Sequence, residues 1–313
     1  MVKSSYYMNK DELKNLIVYT GVFYQDNETY RTRSKIWFKT FDNAAKLGIK
    51  VVVRNDGGLP AEMLQRIKAY SNITIVEKDP SKKNTLGSGR REALQKAKEI
   101  ADQERIEDPV FLWTEPEKDN LITEKNLLRM ISGIREGANI VIPERGEKAW
   151  GQLPKLQHWL EQRAKKRAKN IVEFDDKLDL WFGPEVLDKI GAGYFLDYNA
   201  GKNRVDLWDA LIVPVFDAMR DGIKVTSVPV DFLYNQSQID NESDESNREI
   251  KIKRIEQYTQ ILKELGDPKW QDFFRDAKGE LAKIRELNKD PSGNQEKLKE
   301  AKKSLVKNFF RLK

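Results

Sequence analysis

Short apolar runs of strand length alternate with amphipathic segments of helical spacing through residues 1–145. The predicted strands are Leu16–Phe23, Lys50–Val53, Ile73–Val76, Val110–Trp113 and Ile140–Ile142. The predicted helices between them are Ser34–Leu47, a segment beginning at Pro60, Arg90–Glu104 and Glu124–Arg135. Strands separated by helices favour an α/β fold, in which a mostly parallel sheet carries helices on both faces.

The pattern is less regular after residue 145 and becomes purely helical towards the C-terminus. The predicted strands here are Leu178–Phe182 and Lys224–Phe232, and the predicted loops are Gly191–Gly201 and Gln236–Arg248. The predicted helices are Lys155–Lys169, a segment starting at Pro184, Leu207–Arg220, a stripe from Ile250 to Leu265, Trp270–Leu287 and Gln295–Leu312. We therefore predict a sheet-containing domain at residues 1–265, with halves at 1–145 and 146–265, and an all-helical C-terminal extension at 266–313.

Composition restricts the chemistry, since the chain has no cysteine and a single histidine, His158. Disulfide scaffolds, thiol catalysis, zinc fingers and iron–sulfur clusters are excluded, so acid–base or metal chemistry falls mainly to carboxylates. We interpret His158, beside a helical apolar face, as structural.

The charge balance and hydropathy indicate where the protein acts. A net charge of +6, from 56 basic and 50 acidic residues, is too small to predict a nucleic-acid partner. No apolar run reaches the roughly 18–20 residues of a membrane span. Charges occur near the N-terminus where a signal peptide would be apolar, so we predict a cytoplasmic protein.

Three polar motifs follow predicted strands or open a predicted helix. They are Asn55-Asp56-Gly57-Gly58, Leu86-Gly87-Ser88-Gly89-Arg90-Arg91 and Glu115-Pro116-Glu117. The first is a tight turn that exposes a carboxylate, and the second offers the N–H groups of a helix N-terminus to phosphate. The third places two carboxylates one residue apart, which in an extended segment puts both on one side, as a divalent cation would require. Each motif taken alone also fits an ordinary solvated turn. Together they fall at the strand ends, where ligands bind to α/β sheets.

In this order, the three motifs resemble those of the GT-A fold nucleotide-diphospho-sugar glycosyltransferases, the glycosyltransferase family 2-like superfamily. The resemblance covers about residues 14–145 well and extends loosely to about 265. Two positions depart from the family pattern: Asn55 replaces an aspartate, and Glu115-Pro116-Glu117 replaces an Asp-x-Asp motif. The resemblance implies a GT-A-like, Rossmann-type catalytic domain, with a nucleotide-sugar-binding half at 1–145 and an acceptor-binding half at 146–265. It also implies transfer of a sugar from a nucleoside-diphosphate sugar to a hydroxyl acceptor, assisted by Mg²⁺ or Mn²⁺.

The resemblance also implies roles for individual residues. Asp56 and Gly57 would hold the nucleotide base, with Tyr19 or Thr20 lining the pocket. Lys83, Gly87 and Arg90 would lie near the diphosphate. Glu117 would be the main metal contact, and Glu115 would face the ribose or the metal. Asp206 and Asp209 are the candidates for the general base that takes the proton of the acceptor hydroxyl, although Asp206 is also well placed to cap a helix.

Other functions stay open on the sequence alone. A sugar-phosphate nucleotidyltransferase would share the sheet, but its Gly-x-Gly-x-Arg segment after the first strand is replaced by Tyr24-Gln25-Asp26-Asn27. A binding or scaffold protein with an eroded site is the third hypothesis. The basic segment Lys155–Lys169 predicts either an acidic acceptor or anionic lipid, or else a solvated helix face. The segment Ala301–Lys313 predicts docking on a membrane or on a second subunit, or packing on its own domain.

Overall fold

The computed structural model describes residues 9–81, 84–199, 204–242, 248–266, 283–284, 286–287 and 294–310. The chain divides into two compact units. The sheet unit comprises Met1–Gln152 and Phe174–Asn241, and the helical unit comprises Leu153–Glu173 and Glu242–Lys313. Within the described ranges, the helices are all too short or too polar to cross a bilayer.

The sheet unit contains a seven-stranded sheet. Its strands are β1 (Leu16–Val22), β2 (Lys50–Asn55), β3 (Ile73–Glu77), β4 (Val110–Trp113), β5 (Ile140–Arg145), β6 (Glu185–Leu187) and β7 (Val225–Val230). The order across the sheet is β3-β2-β1-β4-β6-β5-β7. The strand β6 runs antiparallel to β4 and β5, and the remaining neighbours are parallel. The predicted α/β fold with a mostly parallel sheet is confirmed.

The helices connect and cover these strands. In the sheet unit they are α1 (Glu28–Lys46), α2 (Ala61–Lys68), α3 (Leu86–Gln103), α4 (Glu124–Arg135), α5 (Glu147–Gly151), α7 (Lys189–Leu196), α8 (Asp209–Arg220) and α9 (Gln236–Glu242). Short 3-10 helices cover Lys10–Asn15 and Asp119–Leu121. The helical unit contains α6 (Lys155–Lys169), α10 (Arg248–Glu264) and α11 (Gln295–Phe310). There α6 packs on α10, and α10 packs on α11. The buried apolar residues of these helices include Leu160, Ile255 and Leu298.

The two faces of the sheet differ in polarity. On one face, alternate strand residues such as Val18, Val53 and Leu112 join side chains of α1 and α4 in the apolar core. The other face is covered by α3. Polar or amphipathic side chains lie there on adjacent strands, namely Tyr19 of β1, Arg54 of β2, Trp113 of β4 and Glu185 of β6. Among these four strands, the buried charged side chains of Arg54 and Glu185 therefore lie on the α3 face.

Four secondary-structure predictions after residue 145 are wrong. Leu178–Phe182 is a series of turns, because the Asp179 carboxylate accepts hydrogen bonds from Arg145 and its carbonyl accepts one from the Phe182 N–H. The strand here is β6, which follows Pro184, where a helix start was predicted. Gly191–Gly201 was predicted as a loop, but it begins within α7, which Asp188 caps through the Gly191 N–H at 2.7 Å.

The polar segment Gln236–Arg248, predicted as a loop, contains α9, and Arg248 already begins α10. The predicted helix Trp270–Leu287 lies largely outside the described residues, whereas Gln295–Leu312 is helical as far as Phe310. The two compact units group α6 and α10 with the C-terminal helices, whereas the predicted boundary lies at residue 265 and stays a prediction. The catalytic halves at 1–145 and 146–265 stay predictions.

Candidate functional site

The turn after β2 places a carboxylate at the carboxyl edge of the sheet. Gly57 and Gly58 have φ values of +111° and +77°, and a Cβ on Gly58 would overlap the Tyr24 carbonyl oxygen. The Asp56 N–H donates to the Val22 carbonyl at 2.8 Å, which fixes the turn against β1. The Asp56 oxygens lie so close to Gly21 and Gly89 that a Cβ there would approach within 2.9 Å and 2.8 Å. Glycine at both positions therefore makes the space that the Asp56 carboxylate occupies.

Burial changes the ionisation of Asp56. Loss of solvent raises its pKa to about 6, although the cations of Arg54, Arg90 and Lys78 oppose the rise. Arg54 lies 3.5 Å away, fully buried, and its other nitrogens donate to Glu92 and Asn84 at 2.7 Å and 2.8 Å. The Asp56 carboxyl thus changes charge close to neutral pH.

Arg90 of α3 is the centre of the site. Its side chain is only 8% exposed and lies over the Trp113 ring, 4.7 Å from the ring centroid. Its Nε and Nη1 atoms are buried without a hydrogen-bond partner. Burial lowers the pKa of Arg90, while the nearby Glu115 and Glu185 raise it. A buried guanidinium with unused N–H groups is costly, and it marks a position where a ligand can supply acceptors.

Glu185, which was not among the predicted site residues, lies beside Arg90 at the start of β6. It pairs with Trp113 of β4 in the sheet register, is 2% exposed, and its Oε2 atom has no hydrogen-bond partner. Burial raises its pKa well above the ordinary value, against the effect of Arg90. The signal that could have found it is a glutamate opening the apolar run Glu185–Leu187, which requires β6 to be placed correctly.

These side chains line a cavity on the α3 face. The cavity is small, with a volume of about 10 Å³, which is room for about one water-sized sphere. Its walls combine the aromatic rings of Tyr19 and Trp113 with the charges of Arg90 and Glu185, and Phe195 of α7 adds an apolar contact. The rings of Tyr19 and Trp113 lie 5.4 Å apart, and burial raises the pKa of the Tyr19 hydroxyl well above its ordinary value. Aromatic walls with a few polar groups are typical of ligand pockets.

Other predicted binding residues lie at varying distances from this centre. Thr20 is buried with its hydroxyl lacking a partner, but strand alternation turns it to the opposite face from Tyr19. Gly87 lies in the first turn of α3, where a Cβ would overlap the Asp206 carboxylate. Lys83 falls outside the described residues. The structure therefore brings Tyr19, Asp56 and Arg90 together, with Gly57 in the adjoining turn.

The two predicted general bases are engaged in internal hydrogen bonds. The Asp206 carboxylate accepts two bonds from Arg91, at 2.6 Å and 2.9 Å, and one from the Thr85 hydroxyl. Asp209 has no exposed surface and accepts bonds from the Tyr198 hydroxyl at 2.6 Å and from the Asp206 and Leu207 N–H groups. Both carboxylates hold the segment before α8 in place, and their catalytic role stays a prediction.

The segment Glu115-Pro116-Glu117 is a turn, so the expectation that both carboxylates share one side of an extended strand end is wrong. The Lys118 N–H donates to the Glu115 carbonyl at 3.1 Å and closes the turn. The Glu115 carboxylate then meets the Lys118 ammonium at 2.8 Å, whereas Glu117 lies 3.8 Å from Arg33 of α1. Burial alone would raise the pKa of Glu115, but Lys118 and Arg90 hold that pKa below the ordinary value.

A divalent cation does not fit this arrangement. The two carboxylates contact different basic side chains, and the described part of the chain contains no group of three histidine, cysteine, aspartate or glutamate side chains that could hold a metal. Mg²⁺ and Mn²⁺ prefer several converging oxygen ligands. The predicted metal contacts of Glu117 and Glu115 stay a prediction that this geometry does not favour.

Comparison with known proteins gives structural likenesses only. No protein-family model matches the chain, and no curated protein sequence matches it. A crystal structure of a candidate nucleotide-diphospho-sugar transferase from Desulfovibrio desulfuricans G20 matches with 12% identity and a TM-score of 0.40, covering 79% of this chain and 98% of that chain. A 4-diphosphocytidyl-2C-methyl-D-erythritol synthase from Anaerococcus prevotii also matches with 12% identity and a TM-score of 0.40, covering 73% and 96%.

A mycobacterial protein matches with 10% identity and a TM-score of 0.48, covering 83% of this chain and 78% of that one. At such identities, and with TM-scores below 0.5, these likenesses do not assign a reaction.

Proposed function

We propose that the protein is a transferase that binds a nucleoside-diphosphate sugar at the carboxyl edge of β1, β2 and β4 and moves the sugar to a hydroxyl acceptor. The observation that carries this proposal is Arg90. It is a buried cation with two nitrogens lacking partners, and the carboxylates of Asp56, Glu115 and Glu185 surround it. The GT-A-like order of the motifs in the sequence supports the same conclusion.

The chemistry of these residues suits such a ligand. A guanidinium presents its N–H groups in a planar fork, which matches two oxygens of a phosphate or the carbonyl edge of a base. Asp56, ionised above about pH 6, accepts a hydrogen bond from a base N–H or a ribose hydroxyl. When the sugar bond breaks, negative charge develops on the diphosphate, and a cation already fixed in a low-dielectric site stabilises it without reorganisation.

The acceptor side of the reaction rests on Asp206 and Asp209. In the proposal, one of them accepts the hydroxyl proton as the sugar is transferred. Asp206 is the better placed of the two, because Asp209 is completely enclosed, but it has to give up its bonds with Arg91 to do so. Asp206→Asn then lowers the turnover rate while nucleotide affinity stays at the wild-type level. If nucleotide affinity and stability both fall instead, Asp206 is structural only.

The test is a binding and turnover screen with uridine, guanosine, adenosine and cytidine diphosphates and their sugar conjugates. One base is expected to stabilise the protein in a thermal-shift assay, and Arg90→Met is expected to abolish the shift. Arg66→Met is the matched control, because Arg66 also lies over an aromatic ring, that of Phe38 at 3.6 Å, but on an exposed surface. An unchanged shift in Arg90→Met would remove the basis of the proposal.

Two other outcomes separate the remaining hypotheses. Pyrophosphate release from a nucleoside triphosphate and a sugar phosphate would identify a nucleotidyltransferase. Nucleotide binding without turnover across a broad set of hydroxyl acceptors would favour a binding or scaffold protein. An acidic acceptor, contact with anionic lipid through α6, and assembly through the C-terminal helices remain predictions. Each can be scored in the same screen by adding phosphorylated acceptors, anionic vesicles or a light-scattering measurement.

A further inference from the structure

The Lys118 ammonium lies where strand-end carboxylates would otherwise collect a cation. Lys118 is 8% exposed, donates to Glu115 Oε2 at 2.8 Å, and has its ammonium 5.2 Å from the centroid of the Phe182 ring. Its backbone N–H closes the turn that carries Glu115. Lys118 is thus held at its backbone by the turn and at its ammonium by the Glu115 carboxylate.

The surrounding backbone fits this pair. Gly183 has a φ value of +103°, and a Cβ there would lie 2.8 Å from Glu115 Oε1. The Pro116 carbonyl accepts a hydrogen bond from the buried Thr40 hydroxyl of α1 at 2.7 Å, which ties the middle of the turn to the core. The Glu115 carboxylate therefore has a prepared position beside Lys118, and the turn is held against rearrangement.

Glu117 does not join this position. Its carboxylate faces Arg33 of α1, 3.8 Å away. A divalent ion at this turn would have to displace Lys118 from Glu115 and draw in a second carboxylate that another cation attracts. Removing a buried ammonium from its partner is unfavourable, because each charge is then left without solvent or a counter-ion in a low-dielectric environment.

We propose that Lys118 replaces a divalent metal ion at this strand end, so that the site takes the diphosphate of a nucleotide without Mg²⁺ or Mn²⁺. The Lys118 ammonium neutralises the charge of the Glu115 carboxylate, as a bound metal ion would. Arg90 is then the cation that neutralises the charge of the diphosphate. The role for the diphosphate rests on the proposed function. The claim about the metal does not, and it can be tested on the protein alone.

The first experiment titrates the whole chain with Mn²⁺ alone and follows the free ion by electron paramagnetic resonance. We expect no stoichiometric Mn²⁺ site in the wild type or in Lys118→Arg. We expect Lys118→Met to bind one Mn²⁺ ion with an affinity at least about tenfold above the weak non-specific binding of the wild type. Lys125→Met is the matched control, because Lys125 also pairs with a carboxylate, Asp231, but on an exposed surface. A stoichiometric Mn²⁺ site in the wild type would overturn the inference, whether or not Lys118→Met folds.

The second experiment measures nucleoside diphosphate affinity by calorimetry in a chelator and in Mn²⁺. The inference predicts affinities that agree within about twofold in the wild type, and metal-dependent binding in Lys118→Met. An affinity that rises about tenfold or more with Mn²⁺ in the wild type would contradict it. If no nucleotide binds in either buffer, the proposed function fails, and the Mn²⁺ titration still decides the role of Lys118.

Discussion

Two buried arginines of the sheet unit lie over tryptophan rings and yet differ in their hydrogen bonds. Arg145 lies 4.3 Å from the Trp150 centroid, and each of its three guanidinium nitrogens has a partner. Its partners are the Asp179 carboxylate, which it meets in a two-point contact, and the Tyr234 hydroxyl. Arg90 lies 4.7 Å from the Trp113 centroid, and its Nε and Nη1 atoms have none.

The difference indicates what each arginine is for. A satisfied buried ion pair fixes the fold, and at Asp179 it holds the turns before β6. An unsatisfied buried guanidinium costs stability, so we interpret Arg90 as retained for a ligand. The same contrast separates Asp206 and Asp209, which are saturated, from Glu185, whose Oε2 atom has no partner.

Replacing the two arginines gives the largest expected contrast. Arg145→Met leaves Asp179 buried without its cation, so the free energy of unfolding falls by about 3–5 kcal/mol. Arg90→Met is expected to cost about 1 kcal/mol or less, because Asp56 keeps Arg54, Glu115 keeps Lys118 and the buried Glu185 favours its uncharged form. Urea unfolding of both variants measures this. Equal losses would erase the distinction between the two arginines.

The next largest loss of stability is expected when a methyl group is placed against the fully hydrogen-bonded Asp206 carboxylate. A Cβ in Gly87→Ala would overlap the Asp206 carboxylate and its bonds with Arg91, and overpacking of this kind costs about 1–3 kcal/mol. Gly146→Ala is the control, since a Cβ there meets nothing within 4 Å. Thermal unfolding of the two variants should separate clearly. If they unfold alike, Asp206 is not held as tightly as its bonds suggest.

The pH dependence of binding sharpens the comparison at Asp56. Because its pKa is raised to about 6, nucleotide affinity should increase from pH 5 to pH 7 as the carboxylate ionises. The folded pKa exceeds the unfolded value of 3.8, so ionisation lowers the stability of the fold between pH 4 and pH 6. Asp56→Asn should flatten the pH profile of binding and raise the melting temperature at pH 7 relative to the wild type. An affinity profile that keeps its slope in Asp56→Asn would assign the titration to another group.

The smallest effect is expected at Glu185. Burial raises its pKa, so the folded protein favours the uncharged carboxyl, and its contribution to stability is lost as the pH rises. Glu185→Gln keeps the shape of the side chain and removes the carboxyl group whose ionisation lowers the stability at high pH. The free energy of unfolding should therefore change by about 1 kcal/mol or less at pH 5, with a larger gain at pH 8. A large destabilisation at pH 5 would mean that the carboxyl makes a bond that an amide cannot.

The sequence predicted the part of the fold in which local pattern and tertiary pairing agree. Strand β4 and helices α4 and α6 have the predicted bounds, because apolar periodicity coincides there with clear end signals. Strand β6 could not be placed, since its three residues are defined by pairing between β4 and β5 and by the Arg145–Asp179 bond. Helix α7 was missed because two glycines lowered its apparent helical preference, whereas the Asp188 cap starts it.

The site was predicted in the same uneven way. Asp56 and Arg90 follow from motif position, since strand ends and a helix start meet at one edge of the sheet. The direction of Glu117 did not follow, because a turn closed by a single hydrogen bond reverses the assumed alternation. Lys118 has no local signal, and the signal at Glu185 depends on placing β6, so their neighbours in space give both residues their role.

The most direct measurement is a calorimetric titration of nucleoside diphosphates into the wild type and Arg90→Met, with both variants shown to be folded by their urea transitions. We expect one nucleotide to bind the wild type and Arg90→Met to lose at least about tenfold in affinity. The reason is that the unpaired Nε and Nη1 groups of Arg90 donate hydrogen bonds to the oxygens of the nucleotide. Binding of equal strength in the two proteins, or the absence of binding to the wild type, would contradict the claim that the unsatisfied arginine marks a ligand site.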